Sequence, residues 1–141
     1  AYIKAQTDFC GPLIFLESAQ KSAQESPFKQ PQRVYEAFEA LYVVAGEWQD
    51  KLRKGQGLGR SFKDLMQDLG FDVHRVSPTS KGKWGDDYKF VYKGDRVLFE
   101  DHITLGSGQP DMCLSIHWYR DNDDQVVVIG HCGIHGTNTS T

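Results

Sequence analysis

Residues 126–141 read VVVIGHCGIHGTNTST, four apolar residues followed by two histidines and a cysteine among glycines. An apolar run on both faces is typical of a strand in the middle of a sheet, so we expect residues 125–132 to form a central strand. Because side chains alternate across a strand, the pattern predicts that His131 shares a face with Val127 and Ile129. A central strand has a neighbouring strand on each side, so the rest of the sequence must supply strands that pair with it.

The segments before this strand also repeat with a period of two. The predicted strands are residues 71–76, 88–92, 96–105 and 113–119. The turns between the later strands are KGDR (residues 93–96), GSGQPD (residues 106–111) and RDNDD (residues 120–124). Short turns with no helices between the strands indicate an antiparallel meander.

The first seventy residues have helical spacing instead. Apolar residues recur at steps of four and three over residues 31–54, which predicts a helix with one apolar face. Residues 13–26 favour a shorter helix. Ser61 is placed to cap a third helix and Gly70 to end it.

Together these patterns predict an α+β fold. N-terminal helices (about residues 1–70) pack on a curved, mainly antiparallel sheet of about five strands (about residues 71–141). The 141 residues have the length of a single domain, and the hydrophobic content of 39%, charged content of 25% and net charge of -3 are those of a globular protein. No apolar run approaches the roughly 18–20 residues that span a bilayer, so we expect no membrane partner.

The cysteines indicate the redox compartment of the protein, and the first residues bear on whether the chain is part of a longer one. Cys10, Cys113 and Cys132 have no motif spacing, which argues against a disulfide framework and favours a reducing, cytoplasmic compartment. The chain begins Ala-Tyr-Ile-Lys rather than with methionine. We therefore expect it to be the C-terminal part of a longer protein.

Histidines concentrate in the last third of the sequence. Alternation places His102 and His117 on the side of their strands opposite the apolar residues. If the strands pair in sequence order, His131 joins them on the face away from the main core, and His135 follows just beyond the strand. A convergent set of this kind indicates a functional surface more strongly than a single histidine does.

Two chemistries fit such a set. Residues four apart on a strand, such as Cys113 and His117, are separated by roughly 13 Å, whereas zinc ligands lie about 2.0–2.3 Å from the metal. A site made of His102, His117 and His131 is geometrically easier. We nevertheless favour acid–base catalysis without a cofactor, because a histidine with a pKa near its usual value of about 6.5 exchanges protons at neutral pH.

Cleavage of RNA needs only this chemistry. A base takes the proton of the 2′-OH, an acid protonates the leaving 5′ oxygen, and a cation stabilises the developing phosphorane charge. The predicted catalytic residues are His102, His117, His131, His135, Tyr119 and Thr104. The predicted substrate-binding residues are the cations Lys89, Arg96 and Arg120, with Trp84 and Tyr88 to stack on unpaired bases.

The pattern also resembles known ribonucleases. Helices followed by a curved antiparallel sheet with histidines and basic residues on its open face resemble the RelE, barnase and EndoU-like architecture. The end of the chain is similar to bacterial C-terminal domains that pair an F-x-x-H strand with a terminal I-G-H-x-G-x-H. The matching residues are Phe99, His102, Ile129, Gly130, His131, Gly133 and His135. The resemblance implies a ribonuclease.

The sequence therefore predicts an RNA-cleaving, toxin-like effector domain that uses histidine acid–base catalysis without a metal. Its expected partners are RNA, with tRNA as one candidate, and either an inhibitor protein or the preceding part of its own chain. Two alternatives stay open. One is a non-catalytic module that binds a ligand or partner through the histidine face, and the other is a metal-dependent hydrolase with histidine ligands.

Overall fold

The computed structural model describes residues 2–75, 88–109 and 111–134, and within them the fold is α+β as predicted. Four helices lie mainly in the first half of the chain, and the sheet is mainly antiparallel. The elements are α1 (Tyr2–Asp8), β1 (Leu13–Phe15), α2 (Glu17–Glu25), α3 (Pro31–Arg53), α4 (Phe62–Asp68), β2 (Lys89–Tyr92), β3 (Asp95–Leu98), β4 (Asp101–Gly106), β5 (Cys113–Asp121) and β6 (Val126–Gly133).

The main sheet has the strand order β1-β6-β5-β4, which confirms the central position of the last strand. The strands β4, β5 and β6 pair antiparallel in sequence order, and β1 adds to β6 in parallel. The hairpin of β2 and β3 forms a separate two-stranded sheet. Of the strand predicted over residues 71–76, the structure describes residues 71–75, and these form one isolated bridge, between His74 and His102.

Two predicted elements differ from the structure, and tertiary pairing explains both. The helix predicted over residues 13–26 begins only at Glu17, because Leu13–Phe15 pairs with β6 as a strand. The strand predicted over residues 96–105 is broken at Phe99. That residue is fully buried, and its backbone N–H donates to the Tyr88 carbonyl at 2.8 Å instead of continuing either strand.

The remaining helices follow their sequence signals. Helix α3 spans Pro31–Arg53 and buries one apolar face against the sheet and α1. The Ser61 hydroxyl accepts the Asp64 N–H at 3.0 Å and so caps α4, and Gly70 follows α4 with a φ of 93°. None of the helices in the described part of the chain has the length and apolar character needed to cross a bilayer.

The sheet is covered on both faces. The helices pack on one face and enclose the main core, which includes Phe38, Ile116 and Trp118. On the other face, Phe99 and Val128 form a second, smaller core with side chains of the β2–β3 hairpin. The surface that we expected to be open is therefore partly covered by this hairpin, and the histidines lie beside it.

Candidate functional site

Four histidines lie side by side across neighbouring strands. His102 on β4 is paired with His117 on β5, and His117 is paired with His131 on β6. His74 extends the series at the edge of the sheet, where it exchanges two backbone hydrogen bonds of 2.9 Å with His102. We call these four residues the histidine row. Because paired residues project to the same face, the row forms one continuous imidazole surface.

A β-bulge places His131 in the row. Trp118 pairs with Ile129, whereas His117 pairs with His131, so Gly130 is an extra residue on β6. The prediction that His131 shares a face with Val127 and Ile129 is therefore wrong. Those two residues belong to the main core, and the extra residue turns His131 to the opposite face, beside His117.

The fold requires a glycine at this bulge. An added Cβ at Gly130 would lie 2.6 Å from the Phe99 ring and 2.7 Å from the Phe90 ring. The Gly130 carbonyl accepts the Ser18 hydroxyl of α2 at 2.6 Å. The bulge is thus held from both faces of the sheet, and it fixes the position of His131.

The imidazole rings are in contact along the row. The rings of His102 and His117 stack with centroids 4.5 Å apart and an interplanar angle of 13°. The ring of His131 meets His117 edge-on at 5.7 Å, and the ring of His74 lies 6.2 Å from His102. The separations leave His102 and His131 on either side of His117, roughly two strand spacings apart.

Backbone carbonyls orient three of the rings. The contacts are His102 Nδ1 to the Glu100 carbonyl at 3.0 Å, His117 Nδ1 to the Phe99 carbonyl at 3.1 Å, and His131 Nε2 to the Ile134 carbonyl at 2.8 Å. Since a carbonyl oxygen only accepts, each contacting nitrogen carries a proton. In the neutral rings, the acceptor nitrogen is therefore Nε2 of His102 and His117 and Nδ1 of His131.

Burial divides the row into two kinds of histidine. His117 is only 1% exposed, and the Tyr88 ring stacks on it at 4.8 Å. His102 and His131 are half-buried, and His74 is exposed. His102, His131 and His74 are therefore the more accessible members of the row, while His117 forms the packed centre that sets their spacing.

The other predicted catalytic residues lie near the row at different depths. Thr104 is exposed on β4, paired with Ser115 in the neighbouring register position. Tyr119 is 36% exposed, and its ring lies 5.6 Å from that of Phe99. His135 and Trp84 lie outside the described residues.

The predicted cations are not brought to the row. Lys89 and Arg96 are exposed and alternate with Phe90 and Val97, whose side chains pack toward the sheet. They therefore project from the outer side of the hairpin. Arg120 lies on the helix side of the sheet, with its guanidinium 5.0 Å from the Phe62 ring.

Two residues of this region were missed from the sequence. The prediction of a strand over residues 71–76, which contains His74, was the sequence signal for this residue. Its bridge to His102 at the edge of the sheet places it in the row. The next residue, Arg75, forms ion pairs with Glu100 and Asp101. Arg75 directly follows a histidine of the row in the sequence, whereas none of the predicted cations is adjacent to one.

The cysteines lie apart from the imidazoles. Cys132 pairs with Ile116 and faces the main core, and burial raises its pKa to about 12. A thiol of this kind is a poor metal ligand and a poor nucleophile at neutral pH. Within residues 2–75, 88–109 and 111–134, no three histidine, cysteine or acidic side chains come together in an arrangement that holds a metal ion.

The chain was also compared with known proteins. No protein-family model, no curated protein and no solved structure gave a significant match. The geometry of the row and its surroundings is therefore the basis for assigning a function.

Proposed function

We propose that the protein is a metal-independent endoribonuclease, a toxin-like effector that acts on RNA such as tRNA in the cytoplasm. The observation that carries this proposal is the contact between imidazoles on adjacent strands, with His102 and His131 flanking a buried His117. A relationship to the RelE, barnase and EndoU-like ribonucleases is part of the same proposal.

The arrangement supplies the two proton transfers of RNA cleavage. A neutral His102, whose Nδ1–H is held by the Glu100 carbonyl, uses Nε2 to take the proton of the 2′-OH. A protonated His131, held by the Ile134 carbonyl, uses Nδ1 to protonate the leaving 5′ oxygen. The 2′ oxygen attacks phosphorus as the P–O5′ bond breaks, which leaves a 2′,3′-cyclic phosphate and a free 5′-OH.

The positive charge beside the phosphate comes from the row itself in this mechanism. Lys89 and Arg96 project from the outer side of the hairpin, and Arg120 lies on the other side of the sheet. A protonated imidazole within the row is close to the position where the phosphorane charge develops, and it stabilises that charge without a metal ion.

RNA cleavage by the purified protein in excess EDTA tests the proposal. Mixed tRNA and an unstructured oligonucleotide serve as substrates, and a His102→Ala, His131→Ala double variant is compared with the wild type. We expect the wild type to cleave in the chelator and the variant to lose activity by about 10²–10⁴-fold. Lys54→Gln, which removes an exposed ion pair with Asp50 on α3, is the matched control and should cleave normally.

Two results would exclude this mechanism. Activity that disappears in EDTA and returns with zinc or manganese would identify a metal-dependent hydrolase. A folded wild type that cleaves neither substrate, with or without these metals, would exclude an RNA-cleaving activity.

A second candidate function is a non-catalytic binding module, and the carbonyl contacts of the three rings favour it. In this function the row presents a fixed pattern of imidazole donors and acceptors to a ligand or partner protein. The partner would be an inhibitor protein or another part of a longer chain. Binding of RNA without cleavage, lost in the same double variant, would support this candidate over the first.

A further inference from the structure

A cavity with charged walls lies next to the histidine row, where β4 begins. It has a volume of about 270 Å³. Its walls include the basic residues Arg75 and Arg120, the acidic residues Glu100 and Asp101, and also Leu98 and Tyr119. The proposed RNA mechanism uses none of these side chains.

Among the described residues that line the cavity, the cations and the carboxylates occupy different depths. The side chains of Glu100 and Asp101 are 13% and 24% exposed, whereas that of Arg75 is 73% exposed. Arg75 pairs with Glu100 and lies 3.7 Å from Asp101. The carboxylates therefore line the deeper part, and Arg75 lies at the mouth.

The second cation is fixed in place. The Arg120 guanidinium packs on the Phe62 ring at 5.0 Å, and Arg120 is one of the residues that line the cavity. Planar guanidinium groups bind carboxylates through two parallel hydrogen bonds. A carboxylate-bearing ligand thus has a preorganised partner here.

The Asp101 carboxylate is incompletely compensated. Burial raises the pKa of Asp101, and the nearby Arg120 and Arg75 only partly oppose this effect. An additional positive group beside Asp101 would stabilise its ionised form. A phosphate group would instead be repelled by Asp101 and Glu100, so this cavity is unsuited to the backbone of a nucleic acid.

We propose that the cavity binds a free α-amino acid with an apolar side chain. The ammonium group of the ligand lies against Asp101, and its carboxylate lies against Arg120 and Arg75. The side chain lies against Leu98 and Tyr119. A zwitterion matches the half-buried Asp101 carboxylate and the two arginines among the described residues of the cavity walls. Binding of such a ligand is a function additional to the RNA chemistry proposed for the row.

Calorimetric titration of the whole chain tests both charge requirements. The probes are L-leucine and L-phenylalanine, each with an analogue that lacks the carboxylate (3-methylbutylamine, phenethylamine) and one that lacks the ammonium (4-methylpentanoate, 3-phenylpropionate). We expect at least one amino acid to bind with a Kd below about 1 mM and both of its analogues to bind at least about tenfold more weakly.

Variants locate the site. Asp101→Asn and Arg120→Gln should each weaken binding by about tenfold or more. Lys29→Gln, which removes an ion pair with Asp111 outside the cavity, should leave it unchanged. Thermal unfolding of each variant shows that the fold is retained.

Three results would overturn the proposal. The first is no binding of either amino acid at about 10 mM. The second is an amine or acid analogue that binds as tightly as its amino acid. The third is binding that is unchanged in both folded cavity variants.

Discussion

Gly130 is the residue on which the histidine row depends, since its bulge turns His131 toward His117. A Cβ at this position would meet the rings of Phe99 and Phe90 below 3 Å. We expect Gly130→Ala to lower the free energy of unfolding by about 1–3 kcal/mol, the usual cost of overpacking. Urea unfolding measures the change.

A glycine in α3 gives the matched control for this substitution. An added Cβ at Gly46 meets no atom within 4 Å. Alanine has the higher helix propensity, so Gly46→Ala should stabilise the protein by roughly 0.5–1 kcal/mol. Equal effects of the two substitutions would show that the bulge is not tightly packed.

Ser115, next to the row on β5, is fully buried, and its hydroxyl has no hydrogen-bond partner among the described residues. Burying a hydroxyl without a partner is unfavourable, so Ser115→Ala should raise the free energy of unfolding by about 1 kcal/mol. Urea unfolding also tests this prediction.

Ser22 on α2 provides the contrast. Its hydroxyl accepts the Cys132 N–H and donates to the Ala19 carbonyl, both at 2.9 Å. Ser22→Ala should therefore destabilise the protein by about 1 kcal/mol. Destabilisation of similar size in both variants would contradict the assignment of Ser115 as unsatisfied.

At the scale of elements, the β2–β3 hairpin is tied to the end of β5 by one carboxylate. Asp121 accepts the Tyr92 hydroxyl at 2.6 Å and pairs with Lys93 at 3.1 Å. Burial favours the protonated form of Asp121, but the bonds from Tyr92, the Asp124 N–H and Lys93 outweigh it and lower the pKa to about 2.

This shift predicts an acid-dependent part of the stability. Because the folded pKa is below the usual 3.8, the ionised carboxylate stabilises the fold by about 2 kcal/mol above pH 4 or so, and this contribution is lost as the pH falls toward 2. Asp121→Asn should therefore be less stable than the wild type at neutral pH, and the difference should disappear near pH 2. Urea unfolding across this range measures it.

The control for this prediction is Asp72→Asn, which changes an exposed carboxylate outside the hairpin. It should leave the acid branch of the stability curve unchanged. If the wild type and Asp121→Asn follow parallel curves from pH 7 to pH 2, the hairpin is not held by this charge.

How far an element was predictable depended on whether its signal is local. Helix α3 repeats its apolar spacing over 23 residues and was predicted nearly to the residue. Strand β1 has three residues, and only its parallel pairing with β6 makes it a strand. The same difference applies to the site, because alternation placed His102 and His117 together, while His131 required the bulge and His74 required the edge pairing.

At the scale of the whole molecule, the three cysteine thiols differ in how deeply they are buried. Cys10 is exposed near α1, whereas Cys113 and Cys132 are buried. Burial raises the pKa of both buried thiols, to about 12 for Cys132. In the native state, therefore, one thiol of the three should react rapidly with a reagent such as dithionitrobenzoate.

The reactivity of Cys132 tests whether the helix layer and the sheet open together. Its thiol lies in the core between them, and Ser22 on α2 accepts its backbone N–H. In a Cys10→Ser, Cys113→Ser variant, we expect labelling of Cys132 to be slowed by about 10³-fold or more relative to the unfolded chain, and to accelerate with urea as steeply as global unfolding does. Labelling that does not depend on urea would mean that α2 leaves β6 by a local opening. The sheet, with its histidine row, would then be stable without this helix, and the bulge at Gly130 would have to be held by Phe90 and Phe99 alone.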